Sequence, residues 1–229
     1  MLILIDGFWG SGKSMIKILL NGHSDLLVSP VQESIVSSFH NNKNLFKYLK
    51  YKDIRIIRKI LADSFYYDLQ RLKYKRFDFN KFDNDLFKSI EKLKSWNVKI
   101  LIELIYKKIS FHLYKKNKSK IVFLENNFPK CYEFFIKNFP KSKIIYVKRD
   151  IGGIISSLIK RKINKKDSFT DDYKNFNFNY LVSKLRIPTE IMFNDRIVKT
   201  LKSKYPKNIY ICEFDNLIFN NKKEMKKIS

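Results

Sequence analysis

Glycine and proline are scarce: the 229 residues hold six glycines and five prolines. That excludes collagen-like chains and Gly/Ser linkers, and no internal repeat is present. Two cysteines, Cys131 and Cys212, stand far apart inside apolar segments. They make neither a disulfide framework nor a metal-ligand spacing, and a reducing compartment fits them. The three histidines, His23, His40 and His112, have no metal-ligand spacing either, so no metal is expected. No apolar run approaches the roughly 20 residues of a membrane span. The N-terminal Met-Leu-Ile-Leu-Ile-Asp-Gly lacks the cationic start of a signal peptide and reads as a strand, so a cytoplasmic location is expected. Acidic residues are also few, 22 against 47 basic ones, for a net charge of +25.

That charge points to anionic partners and allows peripheral contact with an anionic surface. However, 39 of the 47 cations are Lys and only 8 are Arg, alongside 30 Ile and 20 Asn. Lys, Asn and Ile share AT-rich codons, so part of the basicity reflects base composition. The recognition sequence of a nucleic-acid-binding module is missing, and no nucleic-acid partner is expected. With 45% hydrophobic and 15% aromatic residues the chain is globular, and its length fits one domain over 1–229.

Four short apolar runs, Leu2–Ile5, Ile121–Leu124, Ile144–Val147 and Ile209–Cys212, read as buried parallel strands. Helices are expected at Gly12–Gly22, Cys131–Asn138, Ile151–Arg161 and Asn220–Lys227. This alternation predicts an α/β fold of three layers, a central parallel sheet flanked by helices. Lys52–Ala62, Phe82–Trp96 and Val98–Tyr114 repeat apolar residues every three or four positions. They predict a helical insertion, about 40–118, between the first and second of these strands, either packed on the sheet or capping an acceptor site. Asn164–Asn179 is polar and aromatic without clear period and is expected to be a loop.

The strongest motif is Gly7-Phe8-Trp9-Gly10-Ser11-Gly12-Lys13-Ser14. It satisfies G-x-x-x-x-G-K-[ST] between an apolar strand and an amphipathic helix, which is the context of a phosphate-binding loop. Glycines let backbone N–H groups turn inward, the helix N-terminus adds partial positive charge, and Lys13 adds a full one. Gly10, Ser11, Gly12, Lys13 and Ser14 are therefore candidate phosphate contacts. No carboxylate stands close to Lys13 in sequence, so the lysine is expected to serve a ligand. Trp9 either stacks on a base or packs on the sheet edge.

Such a loop leaves kinases, NTPases and sulfotransferases open. The first two need a Mg²⁺ site, usually an Asp ending a second apolar strand; here that strand ends Leu124-Glu125-Asn126-Asn127. The next ends Val147-Lys148-Arg149-Asp150, with Ser157 eight residues after Arg149. An Arg fork and a Ser hydroxyl at a strand-to-helix crossing can grip a second phosphate group. The alternative is that Arg149 pairs with Asp150 or Asp215 and only holds the strand end.

With these elements the chain resembles the P-loop sulfotransferases that use 3′-phosphoadenosine 5′-phosphosulfate (PAPS). Further resemblance lies in Gly22-His23-Ser24-Asp25-Leu26, in Phe139-Pro140-Lys141-Ser142-Lys143, and in Glu213-Phe214-Asp215-Asn216-Leu217, which is similar to a Tyr-Glu-Asp-Leu stretch. The matches cover residues 2–35 and 120–217. The resemblance implies that PAPS is the donor, that the loop holds its 5′-phosphosulfate, and that Arg149 and Ser157 hold its 3′-phosphate. It implies sulfuryl transfer to a hydroxyl or amine acceptor, a small molecule or a glycan. Lys13 is then the candidate catalytic cation, and Glu33 or Glu125 the candidate base. The loop departs from the family in carrying Gly10 where many members have Lys or Arg. The family's later nucleotide-contacting loop has no counterpart before Ser229, so a compact variant or a fragment is expected. A small kinase using ATP-Mg and a non-catalytic nucleotide-binding module are the alternatives.

Overall fold

The structure is a computed structural model. It describes residues 1–229 except 22, 33, 43–44, 67–76, 115–119, 125–127, 164–177, 179, 185 and 229. Five strands, β1 (Leu2–Gly7), β2 (Leu26–Gln32), β3 (Lys120–Leu124), β4 (Lys143–Lys148) and β5 (Ile209–Glu213), form one sheet in the order β2-β3-β1-β4-β5. Every pairing is parallel. The four apolar runs are thus β1, β3, β4 and β5, and the α/β class holds.

The sheet has two dry faces because successive strand residues point to opposite sides. Leu2, Leu4, Ile121, Phe123, Ile144, Tyr146 and Ile209 join the larger core cluster on one face. Ile3, Ile5, Val122, Ile145, Val147 and Cys212 join a second cluster on the other. Unbroken apolar strands are what burial on both faces requires.

The second face is covered by α1 (Lys13–Leu20), through Ile16 and Leu20, and by α10 (Phe214–Phe219), through Leu217. Met225 of α11 (Asn221–Ile228) packs at its margin. The larger cluster gathers α2 (Ile35–Asn41), α3 (Leu45–Lys50), α4 (Ile54–Leu61) with its π-helical extension Ala62–Tyr66, α5 (Phe79–Glu91) and α6 (Val98–Tyr114). It also takes in α7 (Tyr132–Asn138) and Val198 of α9 (Ile187–Lys204). A third cluster joins α8 (Ile151–Ile163) and the start of α9 to Phe8.

One strand is added to the expected order. β2 is a strand the sequence pattern does not announce; the helical segment lies between the Leu2–Ile5 and Ile121–Leu124 runs as expected, with β2 inserted ahead of it. β2 carries Pro30, which cannot donate to a ladder and is tolerated only at an edge or an irregularity. Both conditions hold: β2 is an edge strand, and its register against β3 shifts between Val28 and Gln32. The insertion packs directly on the sheet, since Ile57, Leu61, Phe82, Leu86 and Ile105 share one cluster with Leu4 and Phe123. The loop expected at Asn164–Asn179 falls almost wholly outside the described residues. Among the described residues no helix is long and apolar enough to cross a membrane.

From β1 the chain crosses to β2 on one side; from β4 it crosses to β5 on the other. In open parallel sheets, ligands bind where the crossing direction reverses, beyond the C-terminal strand ends. That crevice lies between the ends of β1 and β4.

Candidate active site

The segment leaving β1 turns back sharply: the Ser11 N–H donates to Phe8 O (3.0 Å) and the Met15 N–H to Gly12 O (2.9 Å). Phe8 is buried against α8 and α9, whereas Trp9 remains 46% exposed. Packing of the loop therefore falls to Phe8. Gly10 and Gly12 have φ of +81° and +100°. Their lack of a side chain is also a matter of space. A methyl group on Gly12 would lie 2.3 Å from the Phe214 ring, and one on Gly10 would lie 3.3 Å from Ser157 Oγ. Gly12 is the N-cap of α1, without any side-chain cap. The first turn of α1 thus presents its backbone end, carrying partial positive charge, at this crevice.

Lys13 is buried, and its Nζ donates to Gly7 O at 2.8 Å. It also lies 3.8 Å from Oδ1 of Asp6. The expectation of a lysine remote from carboxylates is corrected here: Asp6 precedes it by seven residues, and the loop folds the two together. Asp6 is fully buried at the end of β1. Its Oδ1 accepts the Gly7 N–H at 2.7 Å, and its Oδ2 accepts the Phe128 N–H at 3.0 Å and the Tyr132 hydroxyl at 2.8 Å. Burial, and then the adjacent Asp6 carboxylate, push the Tyr132 phenol well above its usual range, so it stays protonated as a donor. The sequence reading missed Asp6. Its signal was an acidic residue interrupting an otherwise apolar buried strand.

Ser11 is fully buried, and its hydroxyl has no hydrogen-bond partner among the described residues. Ser14, one residue beyond Lys13, is exposed. A buried hydroxyl with no acceptor is costly unless a ligand completes it.

Arg149 follows β4 and reaches back to the loop. Its Nη1 donates to Gly10 O at 2.9 Å, and its guanidinium carbon lies 4.3 Å from the Phe214 ring centre. Its Nε is shielded from solvent and has no hydrogen-bond partner among the described residues. Asp150 does not hold it; Asp150 Oδ1 instead accepts the Gly153 N–H at 2.6 Å and caps α8. Ser157, two turns along α8, stands against Gly10. Residues separated by some 140 positions in the chain thus meet over Gly10.

His23 is exposed between α1 and β2, where its Nδ1 accepts the Asp25 N–H at 3.2 Å. β2 begins just after it, so His23 sits at the opposite edge of the parallel sheet from the crevice. Glu33 and Glu125 lie outside the described residues; β2 ends at Gln32 and β3 at Leu124. No protein-family model matches the chain, and no curated protein matches it.

Proposed function

We propose that the crevice binds the phosphate groups of an adenine nucleotide, and that the chain is a PAPS-dependent sulfotransferase. The observation that carries this reading is the meeting of Arg149 and Ser157 over Gly10, beside the loop that holds Lys13. The fit to a phosphate-bearing group rests on two donors without a partner among the described residues, Ser11 Oγ and Arg149 Nε, and on Gly12, packed too closely against Phe214 for a side chain.

In this reading the backbone of Gly10–Ser14, the Ser11 hydroxyl and Lys13 hold the 5′-phosphosulfate. Arg149 and Ser157 hold the 3′-phosphate. When bound, PAPS supplies the sulfuryl group. Lys13 places its charge where negative charge builds on the bridging oxygen. Glu33 or Glu125 takes the proton from a hydroxyl or amine acceptor, a small molecule or a glycan.

The complete G-x-x-x-x-G-K-S pattern favours one second reading, a small P-loop kinase using ATP-Mg. Calorimetric or thermal-shift binding separates the two. A saturating ligand at a hundredfold excess over its Kd stabilises by about 2.7 kcal/mol. Preference for adenosine 3′,5′-bisphosphate without metal supports the sulfotransferase. Preference for ATP-Mg overturns it, and binding without turnover of either donor leaves a nucleotide-binding module.

A further inference from the structure

Asp6 belongs to none of the roles above, yet it is the group that Lys13 faces. The carboxylate is fully buried. Oδ1 holds the Gly7 N–H and faces Lys13 Nζ at 3.8 Å, while Oδ2 holds the Phe128 N–H and the Tyr132 hydroxyl. The Gly7 and Phe128 N–H groups and the Tyr132 hydroxyl fix the carboxylate in place, so it cannot follow the lysine. Lys13 is held differently, by Gly7 O and by a charge one ångström beyond ideal ion-pair contact. One partner of the pair is anchored and the other is on a long, rotatable stem.

We infer that Asp6 is a positioning residue that sets the anion affinity of the loop by competing with the ligand for the Lys13 ammonium. The inference rests on the phosphate-loop reading above. An incoming phosphate must draw Lys13 toward itself, and it must also come close to a fixed buried negative charge. Both effects reduce affinity, and both disappear when the carboxylate becomes an amide. The same geometry links the loop to the chain beyond β3. When Lys13 turns away, its positive charge no longer offsets the negative charge of the carboxylate, which becomes a stronger acceptor, and the Phe128 N–H bond strengthens.

The test is calorimetric titration of inorganic pyrophosphate into the wild type, Asp6→Asn, Lys13→Ala and the double variant. Asp6→Asn is expected to bind pyrophosphate at least about fivefold more tightly, the lower end of usual site couplings. In the Lys13→Ala background the gain is expected to shrink to the part that comes from removing a nearby negative charge, and a gain of the same size with and without Lys13 overturns the competition. A residue that merely braces β1 would weaken binding when changed, and would do so with or without Lys13. Unchanged or weaker binding by folded Asp6→Asn overturns the inference. Should Asp6→Asn not fold, wild-type protein labelled with ¹⁵N-phenylalanine decides. The Phe128 amide resonance must move along the pyrophosphate titration with the calorimetric Kd, and a stationary resonance overturns the inference. If Lys13→Ala alone binds pyrophosphate like the wild type, it is the phosphate-loop reading that fails.

Discussion

The Arg149 guanidinium stacks on the Phe214 ring at 4.3 Å while its Nη1 holds Gly10 O, so β4, β5 and the glycine loop are tied at one point. Stacking removes the torsional freedom of a long side chain in advance, and the remaining N–H groups stay in a fixed fork. The Phe214 ring is held in turn against Gly12. An aromatic residue at the start of α10 therefore serves the loop from the far side of β4.

Arg149→Ala separates a phosphate reader from a loop clasp. Because the guanidinium also holds Gly10 O, some affinity for any loop ligand is lost. A charge-assisted phosphate contact adds about 1.5–3 kcal/mol, roughly ten- to hundredfold. The loss for adenosine 3′,5′-bisphosphate is expected to exceed that for adenosine 5′-phosphate by this factor, measured by calorimetry. Equal losses would make Arg149 a clasp only.

Gly12→Ala is expected to be destabilising for two separable reasons. A φ of +100° costs an L-residue about 1–2 kcal/mol, and the new methyl group meets the Phe214 ring. The Tm should fall, and adding Phe214→Ala to Gly12→Ala should recover only the collision. Full recovery would mean that the backbone carries no strain there.

Lys13→Ala should lose anion binding and also stability, because it leaves the buried Asp6 without its cation. Removing one partner of a buried pair costs about 3–5 kcal/mol where the survivor is stranded. Asp6 keeps the Gly7, Phe128 and Tyr132 donors, so a smaller loss is expected. Chemical denaturation of the ligand-free variant checks this. An unchanged unfolding free energy would show that Lys13 contributes nothing to the empty fold.

Most of the scaffold was legible because its strands are dry on both faces and its helices keep a three-to-four period. β1, β3, β4 and β5 announce themselves as unbroken apolar runs. β2 does not, because Ser29 and Pro30 interrupt its apolar run, an interruption that an edge strand tolerates. The placement of Arg149 at a strand end and of Ser157 on the following helix was legible from the strand-to-helix crossing. The Asp6–Lys13 contact was not: it depends on the loop folding back over β1, and no periodicity encodes a tertiary turn. The Arg149–Phe214 stack was hidden for the same reason, since its partners come from different strand ends.

For the base, Glu33→Gln and Glu125→Gln form a matched pair. Loss of a general base lowers turnover by roughly 10²–10⁴-fold with little effect on nucleotide binding. Glu33→Gln is expected to be the inactive variant in a sulfuryl-transfer assay with nucleotide binding retained. An active Glu33→Gln beside an inactive Glu125→Gln would transfer the role to Glu125.

Glu133 gives a prediction in pH that does not depend on any ligand. Its Oε1 accepts from Lys204 at 2.8 Å and from the Tyr205 hydroxyl at 3.1 Å, and Lys137 lies 3.1 Å away. The Lys204 hydrogen bond first, then Lys137 and Tyr205, hold its carboxyl down at about 2. Asp85 is a parallel case on α5: desolvation opposes ionisation, yet hydrogen bonds from Lys108 and His112 outweigh it and hold the carboxyl below its usual value. A carboxyl depressed in the folded state binds fewer protons than it does unfolded, so it stabilises above its ordinary value of roughly 4 and loses that contribution as pH falls. Glu133 clamps α7 to the end of α9, so its share should vanish between roughly pH 4.5 and pH 2. Being partly exposed, the cluster is screened, and its effect should shrink in high salt. The Tm of Glu133→Gln should therefore lie below that of the wild type near neutral pH, and the two should converge toward about pH 2. A gap that persists at low pH would mean that the glutamate acts through packing and not through its charge.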